Sequence, residues 1–388
     1  MDFEITDEHQ LIRDAVRKVC AGFPDEYWSA CDAEHRFPWD FYDAMAAAGW
    51  IGIAIPEAYG GSGRGITEAS LVLEEVAASG ACMNGATPLH LSMFGMHPVV
   101  RHGSEEMKQK YLPRVASGAL HVAFGVTEPD AGTDTTAIKT FARRDGDHYL
   151  VRGRKVWTTK ALESERVLLL VRTAARESVE RRTDGMTLLL AELQRPEVTI
   201  SPIDKVGRNA VRTCEVVYED LPVHVSDRVG EEGRGFRYLL DGLNAERILI
   251  AAEALGIGRA SLRRATAYAS ERVVFGRPIG QNQGVAFPLG EASMRLDAAE
   301  LMIRKAAWLL DSGQPCGAEA NMAKWLAADA AFQAADQAMQ THGGFGYARE
   351  YHVERYWREA RLMRIAPISQ EMILNYVTEH VLGLPRSY

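Results

Sequence analysis

The sequence predicts an α+β protein built in the order helical, β, helical. Three observations predict it. Apolar residues recur with a helical period towards both ends of the chain. The middle is a series of short runs rich in Val, Ile, Leu, Thr and Tyr, set apart by polar or Gly-containing turns. At 388 residues the chain exceeds the size at which one hydrophobic core keeps growing, so two or three domains are expected. The divisions fall at 1–118, 119–228 and 229–388.

The first part reads as helices. In "TDEHQLIRDAVRKVCAGF" Thr6 is an N-cap ahead of a 3.6-residue apolar repeat, and "EASLVLEEVAASGA" repeats the pattern. Ser104, followed by Glu105, Glu106 and Met107, opens another helix. "IAIPEAYGGSGRG" (53–65) is a Pro/Gly-rich loop between them. The second part gives strands in "HYLVRGRKVWTT", "RVLLLVRT", "MTLLLAEL", "VTISPI" and "CEVVYEDLPV". Few helix-length segments separate these, so an antiparallel sheet or small barrel is expected. From 233 onward long Ala/Leu-rich helices return, at 234–271, 285–312, 316–340 and 350–362, with a last one after 368. They suit an antiparallel bundle.

Composition narrows the function. Hydrophobic residues make up 47% and charged residues 25%, and the net charge is −8. That balance fits a soluble globular protein and argues against nucleic acid as the main partner. Five cysteines without a Cys-x-x-Cys pair point to reduced thiols and to no metal site. No apolar run is long enough to span a membrane. The acidic start "MDFEITDEHQ" resembles neither a signal peptide nor a transit sequence, so a cytoplasmic location is expected.

Four stretches are candidates for chemistry. "AFGVTEPDAGTDT" (123–135) runs a strand into a turn fixed by Pro129 and Gly132, with hydroxyls around it. An ordinary strand-ending loop has the same composition. In "GRKVWTTKA" (153–161), alternation puts Trp157 and Thr159 on one face. A Trp beside a hydroxyl suits a flat heteroaromatic ligand, although a half-buried edge strand reads the same way. "QTHGGFGYARE" (340–350) lacks the spacing and preceding strand of a dinucleotide fingerprint and reads as a helix end, with no role for His342. In "LNAERILIAAEALGIG" (243–258), Leu239, Leu243, Ile250, Ala254 and Ile257 form a stripe, and Glu246 and Arg247 fall among apolar faces. Desolvation raises a carboxyl pKa and an adjacent guanidinium lowers it, giving a base poised near neutrality. A buried structural ion pair is the alternative.

Taken together, these stretches resemble the acyl-CoA dehydrogenase family over nearly the whole chain. The resemblance rests on "GWIGIAIPEAYGG", "GSEEMKQKYLPRVASG", "VTEPDAGTD", "KVWTT", "KVGRNAVRTCEVVYEDLPV", "AERILIAAEALGIG", "YASERVVFGRPIGQNQ", "QTHGGFGY" and "VERYWREAR", in that order. It implies a helical N-terminal domain, a β domain and a C-terminal four-helix bundle, assembled as a homotetramer or homodimer. It also implies FAD, an acyl-CoA substrate and an electron-transferring flavoprotein as acceptor. Within the resemblance, Phe124, Val126 and Thr127 would lie along the isoalloxazine ring, Trp157 over one face and Thr159 near N5. Thr133 would lie near the pyrophosphate and CoA. Arg272, Phe275 and Gln283 would reach the pyrophosphate and adenine from a neighbouring subunit, and Gln340, Gly343 and Gly344 would add a further neighbour contact. Ser369 and Glu371 would touch FAD again.

The implied reaction removes the pro-R α-proton of an acyl thioester, sends the β-hydrogen to the flavin as hydride and leaves the trans-2-enoyl thioester. Many members place the base in a C-terminal loop, where this chain has Pro367. The isovaleryl-CoA and long-chain enzymes place it on the bundle helix before an Arg, and "NAER" supplies Glu246 and Arg247 there. Glu246 is therefore the expected base, with Arg247, Leu243, Asn244 and Thr133 around the substrate. Glu253 and Glu371 are its rivals. Pro367 also lacks the backbone N–H that usually holds the thioester carbonyl, and losing one such donor costs roughly 3 kcal/mol of barrier. An oxidase, a relative acting on carrier-protein thioesters or other non-CoA substrates, and a degenerate FAD-binding assembly are the alternatives.

Overall fold

Capping residues start the helices where the sequence places them. Thr6 Oγ1 accepts the His9 N–H and Ser104 Oγ accepts the Met107 N–H, each at 3.2 Å. The computed structural model describes residues 6–386. Its first unit holds α1 (Asp7–Cys20), α2 (Asp25–Glu34), α3 (Trp39–Ala47), α4 (Ile66–Val76), α5 (Cys82–Gly95), α6 (His97–His102) and α7 (Glu105–Ala116). Between α4 and α5 the chain turns through Gly80 at φ 104°, where a Cβ would come within 2.6 Å of Asp25 Oδ1. Every residue of α5 is buried.

The second unit is one sheet of β1 (Val122–Gly125), β2 (Phe141–Asp145), β3 (His148–Thr159), β4 (Arg166–Arg172), β5 (Met186–Glu192), β6 (Val198–Pro202), β7 (Thr213–His224) and β8 (Arg228–Val229). Its order is β6-β7-β3-β2-β4-β5-β8, with β1 on β4. Pairing is antiparallel except that β1 and, at Phe141–Arg172, β2 run parallel to β4. The continuous apolar runs of β4 and β5 follow from burial on both faces. Leu168, Leu170, Leu188 and Leu190 pack with Leu112 and Tyr111 of α7, whereas Val167, Leu169, Leu189 and Ala191 pack with Tyr149, Val216 and Tyr218 of the sheet.

The third unit opens with α8 (Gly235–Glu271), 37 residues and thus about 55 Å long. A short hairpin, β9 (Val273–Val274) and β10 (Arg277–Pro278), precedes α9 (Gln283–Asp311), α10 (Gly317–His342), α11 (Val353–Met363) and α12 (Gln370–Tyr376). α8 lies at the centre, against α4, α5, α9, α10 and α11. Residues 248–258 of α8 are all buried, because different faces meet different helices. Two glycines permit that closeness. A Cβ at Gly256 would lie 2.4 Å from the Glu74 carbonyl of α4, and one at Gly258 would lie 3.1 Å from Ala331 Cα of α10.

A polar junction locks the three units together. Asp32 of α2 accepts from Asn209 N–H at 2.8 Å, Arg358 at 3.0 Å and Asn84 at 3.3 Å. Asn84 Oδ1 accepts the Ala210 N–H at 3.0 Å. Glu359 of α11 accepts the Met83 N–H at 2.5 Å and the Asn84 side chain at 2.6 Å, capping the start of α5. Loop 203–212 between β6 and β7 is thereby fixed to helices on both sides.

Candidate active site

Glu246 sits on α8 just before the run where every residue is buried, and is itself 9% exposed. Among the described residues no hydrogen bond or ion pair is made to its carboxylate. Burial pushes its pKa up to about 7, opposed by the charges of His90, Arg247 and Lys324 and reinforced by Glu253. Arg247 donates Nη1–H to Asn244 Oδ1 at 2.9 Å, and burial lowers its pKa. Asn244 thus orients the guanidinium, and Leu243 is half-buried beside them.

The rivals differ sharply. Glu253, two turns further along α8, is 0% exposed and lies 3.0 Å from His90 Nδ1. Glu371 is exposed on α12, where its own backbone N–H and the Ser369 hydroxyl hold its carboxyl below the usual range. Ser369 Oγ caps α12, accepting the Met372 N–H at 3.4 Å. Pro367 is exposed, while Lys324 Nζ of α10 donates to the neighbouring Ile368 carbonyl at 2.7 Å. Burial lowers the Lys324 pKa to about 8.

A chain of rings links this helix to β1. The His90 ring is 5.7 Å from Phe94, and Phe94 is 5.0 Å edge-on from Phe124. Phe124, Val126 and Thr127 are half-buried at the mouth of the loop after β1. Glu128 pins that loop, accepting Lys139 and Thr140 N–H at 2.6 and 2.9 Å and Lys155 Nζ at 2.9 Å. The Val156 N–H donates to the Thr127 carbonyl at 2.9 Å, bringing Thr127 beside Trp157.

One sequence expectation needs correction here. Trp157 and Thr159 do not share a face by simple alternation. A β-bulge falls between Lys155 and Thr158, and Trp157 adopts φ 61°. Its ring is 56% exposed, whereas Thr158 and Thr159 are both buried. Left-handed backbone at a bulky residue is rare and clusters at functional positions. Thr159 Oγ1 accepts from Arg208 Nη2 at 3.1 Å and lies 3.2 Å from Thr213 Oγ1.

The remaining expected cofactor residues lie on open surface. Arg272, Gly343 and Gly344 line a cleft of 580 Å³ together with Phe345, whose ring the Arg272 guanidinium covers at 5.8 Å. A Cβ at Gly343 or Gly344 would meet nothing within 4 Å, so the backbone there is open to a ligand. Gln283, Gln340 and Phe275 are exposed and outside that cleft's lining, with Phe275 100% exposed at φ 51°. Thr133 is exposed on the loop after β1.

These features fit FAD. An exposed indole on strained backbone beside half-buried Phe124, Val126 and Thr127 offers a flat apolar face with hydroxyls at its edge. Arg272 beside open glycine backbone suits a pyrophosphate. Among the described residues no group of three His, Cys, Asp or Glu side chains is placed to hold a metal, and no helix is long and apolar enough to cross a membrane. All five cysteines are buried and unpaired.

Sequence reasoning missed His90, Lys324 and Arg208. The available signal was the one that found Glu246, a charged or titratable side chain inside a run that is otherwise apolar or small. "PLHLSMF" and "MAKWLAADAA" both show it.

Comparison with known proteins supports the same reading across the chain. The acyl-CoA dehydrogenase N-terminal domain matches residues 6–119, the middle domain 123–221 and the C-terminal domain 233–382. Acyl-CoA dehydrogenase fadE12 of Mycobacterium bovis is 37% identical over 391 residues, 99% of this chain and 98% of that protein. The probable acyl-CoA dehydrogenase YngJ of Bacillus subtilis is 38% identical over 379 residues, 96% of this chain and 97% of that protein. Butyryl-CoA dehydrogenase from Megasphaera elsdenii superposes with a TM-score of 0.92 at 31% identity, covering 99% of this chain and 100% of that one. The chain therefore belongs to the acyl-CoA dehydrogenase family, whose members carry out FAD-dependent dehydrogenation of acyl-CoA.

Proposed function

We propose that Glu246 is the base that takes the α-proton of the acyl-CoA, giving the trans-2-enoyl-CoA. The observation that carries this is a desolvated carboxylate, without a hydrogen-bond partner among the described residues, on the central helix α8. Such a group holds its proton weakly enough to lose it near neutrality and strongly enough to take one from carbon. FAD, when bound, would supply the hydride acceptor for the β-hydrogen. Arg247, held by Asn244, places a cation beside the carboxylate, and the apolar wall of α8 keeps water out.

The loop at 364–369 completes the site in this reading. Pro367 has no N–H to offer, but the Ile368 N–H has no acceptor among the described residues, and Lys324 fixes that residue by its carbonyl. The Ile368 N–H is the donor for the thioester oxygen. Phe124, Val126, Thr127, Trp157 and Thr159 receive the flavin ring, Thr133 lies near the pyrophosphate and CoA, and Ser369 and Glu371 touch FAD again. Arg208 fills one acceptor position of the Thr159 hydroxyl, and with Thr213 as donor across their 3.2 Å contact the Thr159 O–H is available to the cofactor.

Arg272, Phe275, Gln283, Gln340, Gly343 and Gly344 serve a cofactor shared across a homotetramer or homodimer. Supporting this, Phe287, Met294, Leu301 and Trp308 recur every seven residues as an exposed apolar stripe on α9. Electrons leave to an electron-transferring flavoprotein.

The test is anaerobic mixing of Glu246→Gln with an acyl-CoA panel. The variant is expected to keep FAD bound and to lose flavin bleaching by at least a thousandfold, on the scale of removing a catalytic acid–base group (~10³). Bleaching at the wild-type rate removes Glu246 from the mechanism. Rapid reoxidation by O2 instead of by the flavoprotein acceptor identifies an oxidase.

A further inference from the structure

Behind Glu246 lies a second titratable layer that the mechanism above does not use. His90 of α5 and Glu253 of α8 are both buried, and His90 Nδ1 stands 3.0 Å from Glu253 Oε1. The approach is an ion pair by distance, but not an aligned hydrogen bond. Nδ1 and both Glu253 oxygens are otherwise without hydrogen-bond partners. A buried carboxylate without a cation is strongly disfavoured, and His90 is the cation-forming side chain placed to face Glu253. Burial lowers the His90 pKa, and the charge of Glu253, helped by that of Glu246, outweighs it, leaving the imidazole above its usual range.

Glu246 and Glu253 are seven residues apart, two helical turns, and therefore share the face of α8 that meets α5. Of the charges acting on Glu246, that of His90 is the largest. The others come from Arg247 and Glu253 on α8 itself and from Lys324 on α10. Around His90, Arg208 from loop 203–212 adds a repelling positive charge. The two buried acids on one helix face would otherwise repel each other when both are ionised, and His90 is the cation that α5 places against them.

We propose that His90 is a positioning residue for the reaction: paired with Glu253, it holds a fixed positive charge behind Glu246 that keeps the carboxylate form of the base accessible in an apolar site. This rests on Glu246 being the base. It assigns α5 a part in the chemistry, and it gives Glu253 a purpose other than abstracting a proton.

The experiment compares wild type, His90→Gln, His90→Gln/Glu253→Gln and Glu246→Gln as holoenzymes. The double variant removes both buried charges, so it avoids stranding Glu253 if the single variant folds poorly. Two readouts are taken. One is the pH profile of anaerobic flavin reduction by acyl-CoA. The other is the carboxyl titration of residue 246, read by infrared difference against Glu246→Gln without turnover. Loss of the imidazolium is expected to move both the rising limb and the carboxyl titration upward, by about half a pH unit or more. The high-pH plateau and the acyl-CoA binding constant stay near wild type. A folded His90→Gln that titrates where wild type does overturns the proposal and leaves the pair purely structural; so does a double variant that titrates below wild type, because Glu253 opposes His90 at residue 246 and is the weaker of the two. If Glu246→Gln still bleaches, the base assignment itself has failed, which is a separate result.

Discussion

Glu246 holds its acidic proton because the protein removes water, and that has a cost in stability. The folded-state pKa of about 7 lies above the usual value of 4.5. Between those values the native state binds the proton and the unfolded chain does not. Stability contributed by this group is therefore present below pH 4.5 and is lost as pH climbs to about 7, by roughly 3 kcal/mol at about 1.4 kcal/mol per pH unit. Glu246→Gln lacks this dependence. Chemical denaturation at pH 5 and pH 8 is expected to show the variant gaining on wild type at the higher pH; parallel behaviour at both removes the desolvation account. In the proposed mechanism the same ionisation governs turnover, so the rate of flavin reduction is expected to rise with pH about a midpoint near 7. Glu246 was legible in the sequence because a charge interrupts an apolar run. The same signal marks His90 in "PLHLSMF", but its pairing with Glu253 was not legible, because one residue type in one helix does not reveal which distant side chain it faces.

Individual elements show where periodicity suffices and where it does not. The caps at Thr6 and Ser104 are local, and sequence finds them. The bulge at Trp157 is not local in that sense. It depends on two residues of β3, Val156 and Trp157, opposing one of β7, Glu215, a register that alternation along one strand cannot disclose. Helix α5 is a further case. It is buried on every side and shows no amphipathic face, so its orientation comes from Glu359 at its N-terminus and from Asn84. Glu359→Leu removes the acceptor for two backbone N–H groups and a buried amide. The expected loss is about 3 kcal/mol, read as a lowered denaturation midpoint, and it falls on the element that carries His90. A midpoint unchanged by that substitution shows that packing alone seats the helix.

For the whole molecule, the α–β–α order was legible because each part has its own texture. The parallel placement of β1 on β4 was not, since it depends on a crossing through loop 126–140 rather than on strand composition. The proposed assembly has an equally indirect sign on the surface. The α9 stripe and the Phe275 ring are exposed among the described residues. Met294→Glu/Leu301→Glu is expected to shift the particle mass measured by light scattering towards the monomer and to weaken FAD retention. A variant with wild-type mass and full flavin content removes that face from the interface.

The absence of side chains at Gly258 sets the distance between α8 and α10, with Ala331 directly opposite. A side chain of any size there would push the two helices apart, and with them Glu246 and Lys324, which α8 and α10 carry.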